Sequence, residues 1–343
     1  MKKNVASKSS LLISAPLCLT LLLTGCAQAQ NLISNLPEQN PQSILETSDA
    51  TPNKLEVSDT TVKDSSVISQ ESSSSSEQSI DEKKLKLSAP VKISNIVSEE
   101  EQKLLKDLCN QAGIADESSA SLLEQIKNYN TTVGADKLID GIQETTDVRP
   151  LYNVAELYNV LDAHRAEFIG NNCRMTTFDL MKQFMSNPKD PGQRPEYLFI
   201  DQESLASQKG VNLSADDLKK FNNMYASVLT ENTDKQDVHL KKILDDFKAR
   251  NVEIKPEAAS VISVYMHAHF DQDYLFVGHT GVLFPHEDGF IFLEKVSFDE
   301  PYQLVYLSSK AQLNEYLLAK YDDSDTQATS APLIFENDKP MKF

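Results

Sequence analysis

The chain has 343 residues, 40% of them hydrophobic and 24% charged, which suffices for one large domain or two small ones. Its formal charge of −18 argues against nucleic acid or an anionic lipid surface as a partner, because either would repel it. With only 10 glycines and no tryptophan, a collagen-like repeat is excluded and a sugar site built on tryptophan stacking is disfavoured.

The first segment reads as an address. Lys2, Lys3 and Lys8 make a positive start, residues 11–23 are an apolar stretch too short to span a bilayer, and Leu23-Thr24-Gly25-Cys26 closes it. Those four residues resemble the bacterial lipobox. The resemblance implies that 1–25 is a lipoprotein signal peptide and that Cys26 takes a diacylglyceryl thioether and becomes the first mature residue. Its lipid then holds the protein on the outer face of the cell membrane. Residues 27–90 lose periodicity and fill with Ser, Thr, Asp, Glu, Gln and Asn, including the serine run 72–76, so 26–90 reads as a lipidated Cys followed by a disordered tether. As a flexible coil of roughly 64 residues it would span about 45 Å. The domain is then expected over 91–343.

Helical signals dominate the first part of that domain. Ser98-Glu99-Glu100-Glu101 is a capping box ahead of Leu104, Leu105 and Leu108, which predicts a helix over 99–111. Leu122, Leu123 and Ile126 mark a second helix, and Val154, Leu157, Tyr158 and Leu161 a third, entered after Pro150. The break Gly170-Asn171-Asn172 sets Cys173 at the start of a helix carrying Phe178, Leu180, Met181 and Phe184. Ser214 opens another helix, expected to reach about Leu229, and Val238, Ile243, Leu244 and Phe247 mark one over 236–249. Beyond Pro256 the residues turn β-branched and aromatic. The runs 261–270, 274–284, 290–296 and 303–307 read as consecutive strands joined by hairpin-sized turns, an antiparallel meander. Ser308 or Ser309 then caps a last helix to about Tyr321. Helices over about 98–250, a sheet over about 259–307 and a closing helix define an α+β domain.

Cysteine use frames the chemistry. Cys18 leaves with the signal and Cys26 carries lipid, so Cys109 and Cys173 remain, and either they pair or one is kept for reaction. Cys109 shares an apolar stripe with Leu105 and Leu108 and reads as core. Cys173 stands where the unpaired N–H groups and positive dipole end of a helix favour a sulfur anion. A thiol nucleophile also needs an imidazole and a group to orient it. His279, in Val277-Gly278-His279-Thr280-Gly281-Val282, lies among small neighbours that leave room for close approach. On the next strand Phe290, Phe292 and Glu294 alternate to one face, and Glu294 is its polar member, able to fix the tautomer of the imidazole. Asn172, with Asn171, either lines an oxyanion pocket or caps the helix, and Arg174 meets either an acidic substrate group or a local carboxylate.

These segments, Asn-Asn-Cys-Arg, Gly-His-Thr-Gly-Val and Phe-Leu-Glu-Lys, resemble the papain-like superfamily, especially its NlpC-type cell-wall peptidases and amidases. The resemblance covers about 165–308 and implies a papain-like core with Cys173, His279 and Glu294 as the catalytic set. Glu294 stands where His, Asn or Gln is more usual. As a whole the chain resembles Gram-positive lipoproteins of domain of unknown function 4300, which carry the same Asn-Cys-Arg and Gly-His-Thr-Gly segments.

A rival site begins at His267 and His269, which with Asp271 and Asp273 fall on alternate positions of a strand and so share one face. Zinc would need further ligands, for which His239 and His286 are candidates, and a solvated sheet face is the plainer reading. No P-loop or dinucleotide fingerprint occurs, so no cofactor is expected. The sequence therefore points to a membrane-anchored cysteine hydrolase acting on cell-wall peptide or another amide. The alternative is a surface lipoprotein that only binds, through a metal site or a degenerate papain-like fold.

Overall fold

The computed structural model describes residues 85–164, 170–194, 197–207, 210–269, 271–324 and 329–343. The signal segment, Cys26 and the tether up to residue 84 lie outside the described residues. The architecture is α+β, with eight helices and a large antiparallel sheet among the described residues. In chain order the elements are β1 (Lys86–Ser94), α1 (Glu99–Gln111), α2 (Asp116–Val133), β2 (Gln143–Asp147), α3 (Val154–Ala163) and α4 (Cys173–Met181). There follow α5 (Phe199–Ser207), α6 (Ala215–Met224), β3 (Val228–Leu229), α7 (Gln236–Arg250), β4 (Ser260–His269) and β5 (Asp273–His286). The chain ends with β6 (Gly289–Lys295), β7 (Tyr302–Leu307), α8 (Lys310–Tyr321), β8 (Leu333–Glu336) and β9 (Lys339–Pro340). None of these helices is long and apolar enough to cross a membrane.

The helix starts follow from local chemistry. Ser98 Oγ accepts from the Glu101 N–H while the Glu101 carboxylate accepts from the Ser98 N–H, so the capping box forms as the sequence predicts. Asn172 caps α4 by accepting from the Met175 N–H at 3.0 Å, and Ser309 caps α8. The sheet runs β2-β1-β7-β6-β5-β4-β8-β9, with β3 pairing β5 at one end. The expected meander β4 to β7 is its centre.

Three expectations need correction. The domain begins before residue 91, because β1 starts at Lys86 and pairs with both β2 and β7. The part expected to be helical over 98–250 also supplies β2 and β3, and the helix opened by Ser214 stops at Met224 rather than near Leu229. A hairpin, β8–β9, extends the sheet beyond the closing helix by pairing with β4.

The two faces of the sheet build separate cores. On one face Leu105, Ile126, Leu157, Phe178, Phe221 and Ile243 from the helices pack on Leu275, Val277, Val282, Phe284 and Leu293. On the other, Leu313, Tyr316 and Leu317 of α8 pack on Ile262, Val264, Met266, Phe276, Leu283, Phe292 and Val305. Residues of β5 switch sides part-way. Val277 belongs to the first core and Val282 does too, although strict alternation would put them on opposite faces. The register explains this: Val264 pairs with His279 and Tyr265 with Val277, so β5 carries an extra residue, a β-bulge at Gly278-His279. The bulge turns His279 to the α8 face.

Candidate active site

His279 lies just beyond the paired stretch of two strands. β5 and β6 are in register from His286↔Gly289 to Val282↔Leu293, and His279 on one strand and Glu294 on the other follow the last of these pairs. Gly281 permits the approach there, since a Cβ on it would meet the Leu293 carbonyl oxygen at 2.4 Å. His279 Nε2 lies 2.6 Å from Glu294 Oε2, and both side chains are almost completely buried. The oxygen lies off the line of the ring N–H, so the two atoms touch without completing a well-aimed hydrogen bond. Tyr321 stacks on the imidazole with centroids 4.5 Å apart and planes 19° apart, and Phe292 meets it edge-on.

The other carboxylate oxygen of Glu294 is anchored more fully. Oε1 accepts from Gln303 Nε2 at 2.6 Å, from the Tyr316 hydroxyl at 2.5 Å and from Lys320 Nζ at 3.2 Å. Burial alone would raise the Glu294 carboxyl, but Lys320, His279 and Tyr316 outweigh it and hold the group well below the usual carboxylate range. Burial likewise lowers His279, opposed by Glu294 and reinforced by the positive charges of Lys320 and Arg174. The pair is thus a carboxylate facing a neutral imidazole. A carboxylate can only accept, so the ring proton is assigned to Nε2, the nitrogen that faces Oε2.

Cys173 heads α4, whose Met175 and Phe178 pack on the helical face of the sheet, opposite the α8 face to which the bulge turns His279. It is the first residue of α4 and 1% exposed. The head of α4 is tied to β5: Arg174 Nη1 donates to the Val277 carbonyl oxygen at 3.0 Å, two residues from His279. The charges of Arg174 and Lys295 both interact with Cys173. Lys295, at the end of β6, is fully buried, donates to the Phe298 and Glu300 carbonyl oxygens, and lies over the rings of Tyr129 and Tyr302. Burial lowers its ammonium to about 7, against the pull of Asp299, Glu300 and Cys173.

The structure therefore brings His279 and Glu294 into contact on the α8 face, while Cys173 heads α4 on the helical face. At two other residues the structure meets the second of the alternatives read from the sequence. Arg174 is not open to a substrate acid, because its Nε and Nη2 donate to Asp201 at 2.7 and 2.8 Å in a buried bidentate pair. Asn172 is not open to an oxyanion either. Its oxygen caps α4 and its Nδ2 donates to Asp201 at 2.6 Å. Asp201 on α5 and the trio Gln303, Tyr316 and Lys320 escaped sequence reasoning. The spacing of Tyr316 and Lys320, four apart on one helix face, was the available hint.

Cys109 is core as expected: it is buried, burial pushes its thiol up to about 12, and it is not joined to Cys173. His267 and His269 both contact Asp273 Oδ1, at 2.9 and 3.0 Å. The second ring nitrogen of His267 accepts from the Ser330 N–H, and both nitrogens of His239 are engaged by Thr230 and Thr233. Among the described residues, no group of three or more His, Cys, Asp or Glu side chains is placed to hold a metal ion. A surface groove of about 410 Å³ lined by Ile254, Pro256, Asn337 and Lys342 includes none of the candidate catalytic residues.

The family model described as Domain of unknown function (DUF4300) matches residues 92–341, and the chain belongs to that family. Searches of curated proteins and of solved structures each returned no match.

Proposed function

We propose that the protein is a lipid-anchored cell-surface cysteine hydrolase of papain-like arrangement, cleaving an amide bond in cell-wall peptide or a similar substrate. Cys173 attacks the carbonyl carbon, His279 takes the thiol proton and returns it to the leaving amine, and Glu294 orients the imidazole. Water then hydrolyses the thioester. The observation that carries this reading is the buried carboxylate–imidazole pair of Glu294 and His279, on the strand to which Arg174 ties the head of the Cys173 helix. Anchoring through Cys26 belongs to the same reading and rests on the lipobox resemblance.

The test is release of amine from cell-wall peptide fragments by the full chain. Turnover that disappears in Cys173→Ala and falls at least a hundredfold in His279→Gln supports the mechanism. Absence of turnover, or turnover that survives Cys173→Ala, overturns it. A second reading, a lipoprotein that binds peptide without cutting it, draws on the burial of Cys173, His279 and Glu294, each 1% exposed or less. Peptide binding retained in Cys173→Ala, with no turnover in the parent chain, favours that reading.

A further inference from the structure

Helix α5 lies against the segment that bears Cys173; Leu205 packs against the core from a partly buried position, and the helix's fully buried contacts are polar. Its two buried residues are Asp201 and Ser204. The Asp201 carboxylate receives Asn172 Nδ2 at 2.6 Å and Arg174 Nε and Nη2 at 2.7 and 2.8 Å, so its partners are the residues on either side of Cys173. One turn later Ser204 Oγ donates to the Gly170 carbonyl oxygen at 2.8 Å. The first residue of the helix, Phe199, is 55% exposed, and no apolar side chain of α5 is fully buried. A helix docked by packing presents an apolar stripe to its neighbours. Here Leu205 alone among the described side chains of α5 packs on the core, partly buried, and the buried attachment is a pair of hydrogen-bonding side chains, whose partners water can replace when the helix lifts.

We propose that α5 is a cover over Cys173, latched by Asp201 and Ser204, which has to lift before an amide substrate reaches the thiol. The proposal takes its purpose from the hydrolase reading, but the opening is measurable without turnover. It also reconciles a nucleophile with a side chain only 1% exposed.

The experiment is alkylation of the full chain by iodoacetamide, an uncharged reagent, with Cys173 and Cys109 read separately by peptide mass spectrometry. Ser204→Ala is expected to speed Cys173 labelling several-fold and Asp201→Asn about tenfold or more, with Cys109 unchanged. Asp201→Asn also removes the charge that neutralises Arg174, whereas Ser204→Ala leaves every charge in place. A rise in both variants therefore marks opening. A rise in Asp201→Asn alone is an effect of charge and overturns the cover, as does no change in either. If Asp201→Asn unfolds the chain, exposing Cys109 as well, hydrogen exchange on the parent protein decides. Amides of 199–207 exchanging at least tenfold faster than those of 173–181 support the cover, and equal protection overturns it. A chain that opens in this way yet cleaves no amide ends the hydrolase reading and leaves the cover standing.

Discussion

Glu294 and His279 meet at 2.6 Å through one carboxylate oxygen while the other oxygen is held by Gln303, Tyr316 and Lys320. The carboxylate is therefore fixed from behind before it touches the imidazole. This division of labour ties the last helix to the site: α8 contributes Tyr316, Lys320 and Tyr321, so displacement of α8 would release the imidazole on one face and its carboxylate on the other.

Replacing Glu294 by Gln keeps the shape and removes the charge. Lys320 then faces no carboxylate, and the amide cannot satisfy Gln303, Tyr316 and Lys320 as the acid does. Breaking a buried pair on one side costs about 3 kcal/mol or more. The expected result is a lower urea midpoint with an unchanged slope. A midpoint equal to that of the parent protein would mean that the network contributes nothing to the fold.

Acid should destabilise the domain in two stages. His279 and His267 are lowered from 6.5 in the folded state, chiefly by burial, so below 6.5 the unfolded chain binds protons that the folded chain refuses. Their contribution is complete above that pH and is lost as pH falls beneath it. Glu294 is depressed from 4.5 by Lys320 and His279 against the cost of burial, so its contribution is present above 4.5 and declines below. Thermal midpoints should fall from pH 7 to pH 5 and more steeply below pH 4.5. A flat profile between pH 7 and 5 would contradict the neutral, buried state of these imidazoles.

Lys295 gives the opposite limb. Its folded value of about 7 lies below its ordinary 10.5, and between the two the unfolded chain carries a proton that the folded chain lacks. Stability should therefore rise from pH 7 towards pH 10, and Lys295→Met should flatten that rise. Calorimetry at pH 7, 8.5 and 10 on both proteins measures the difference. A rise of equal size in the variant would place its origin elsewhere.

Much of the fold is legible in the sequence because periodicity reports burial. The caps at Ser98, Asn172 and Ser309, the stripes of α1 to α4 and the strands β4 to β7 all follow from it. β1 does not, because its nine residues include Pro90 and two lysines, and only its register against β7 makes it a strand. β2 is a polar edge strand, Gln-Glu-Thr-Thr-Asp, with no apolar face to detect. α5 shows no apolar stripe because its fully buried residues are the polar Asp201 and Ser204. In the site, neighbouring strands made Glu294 a fair partner for His279. The bulge that turns the imidazole towards α8 is invisible to alternation, since alternation assumes that no residue is inserted. Asp201 was equally hidden, because an ion pair between residues 27 apart leaves no local pattern.

The glycines flanking His279 provide a test of that bulge. A Cβ on Gly278 would fall 2.1 Å from Met266 Sδ and 2.8 Å from its Cγ, whereas on Gly281 it would fall 2.4 Å from the Leu293 backbone oxygen and 2.5 Å from Phe292 Cζ. The first obstacle is a flexible side chain and the second is the backbone of the adjoining strand. Gly278→Ala should cost about 1 to 3 kcal/mol by overpacking, and Met266→Ala in the same chain should recover part of it, giving a favourable coupling of about 1 kcal/mol. Gly281→Ala should cost more, because β6 can yield only by leaving its pairing with β5 at Val282↔Leu293, which would carry Glu294 away from His279. Urea unfolding of the single variants and of the Gly278→Ala, Met266→Ala pair gives the ordering directly. If the Gly278 variant proves the more damaging, or Met266→Ala restores nothing, the side chains around the bulge are not packed as described.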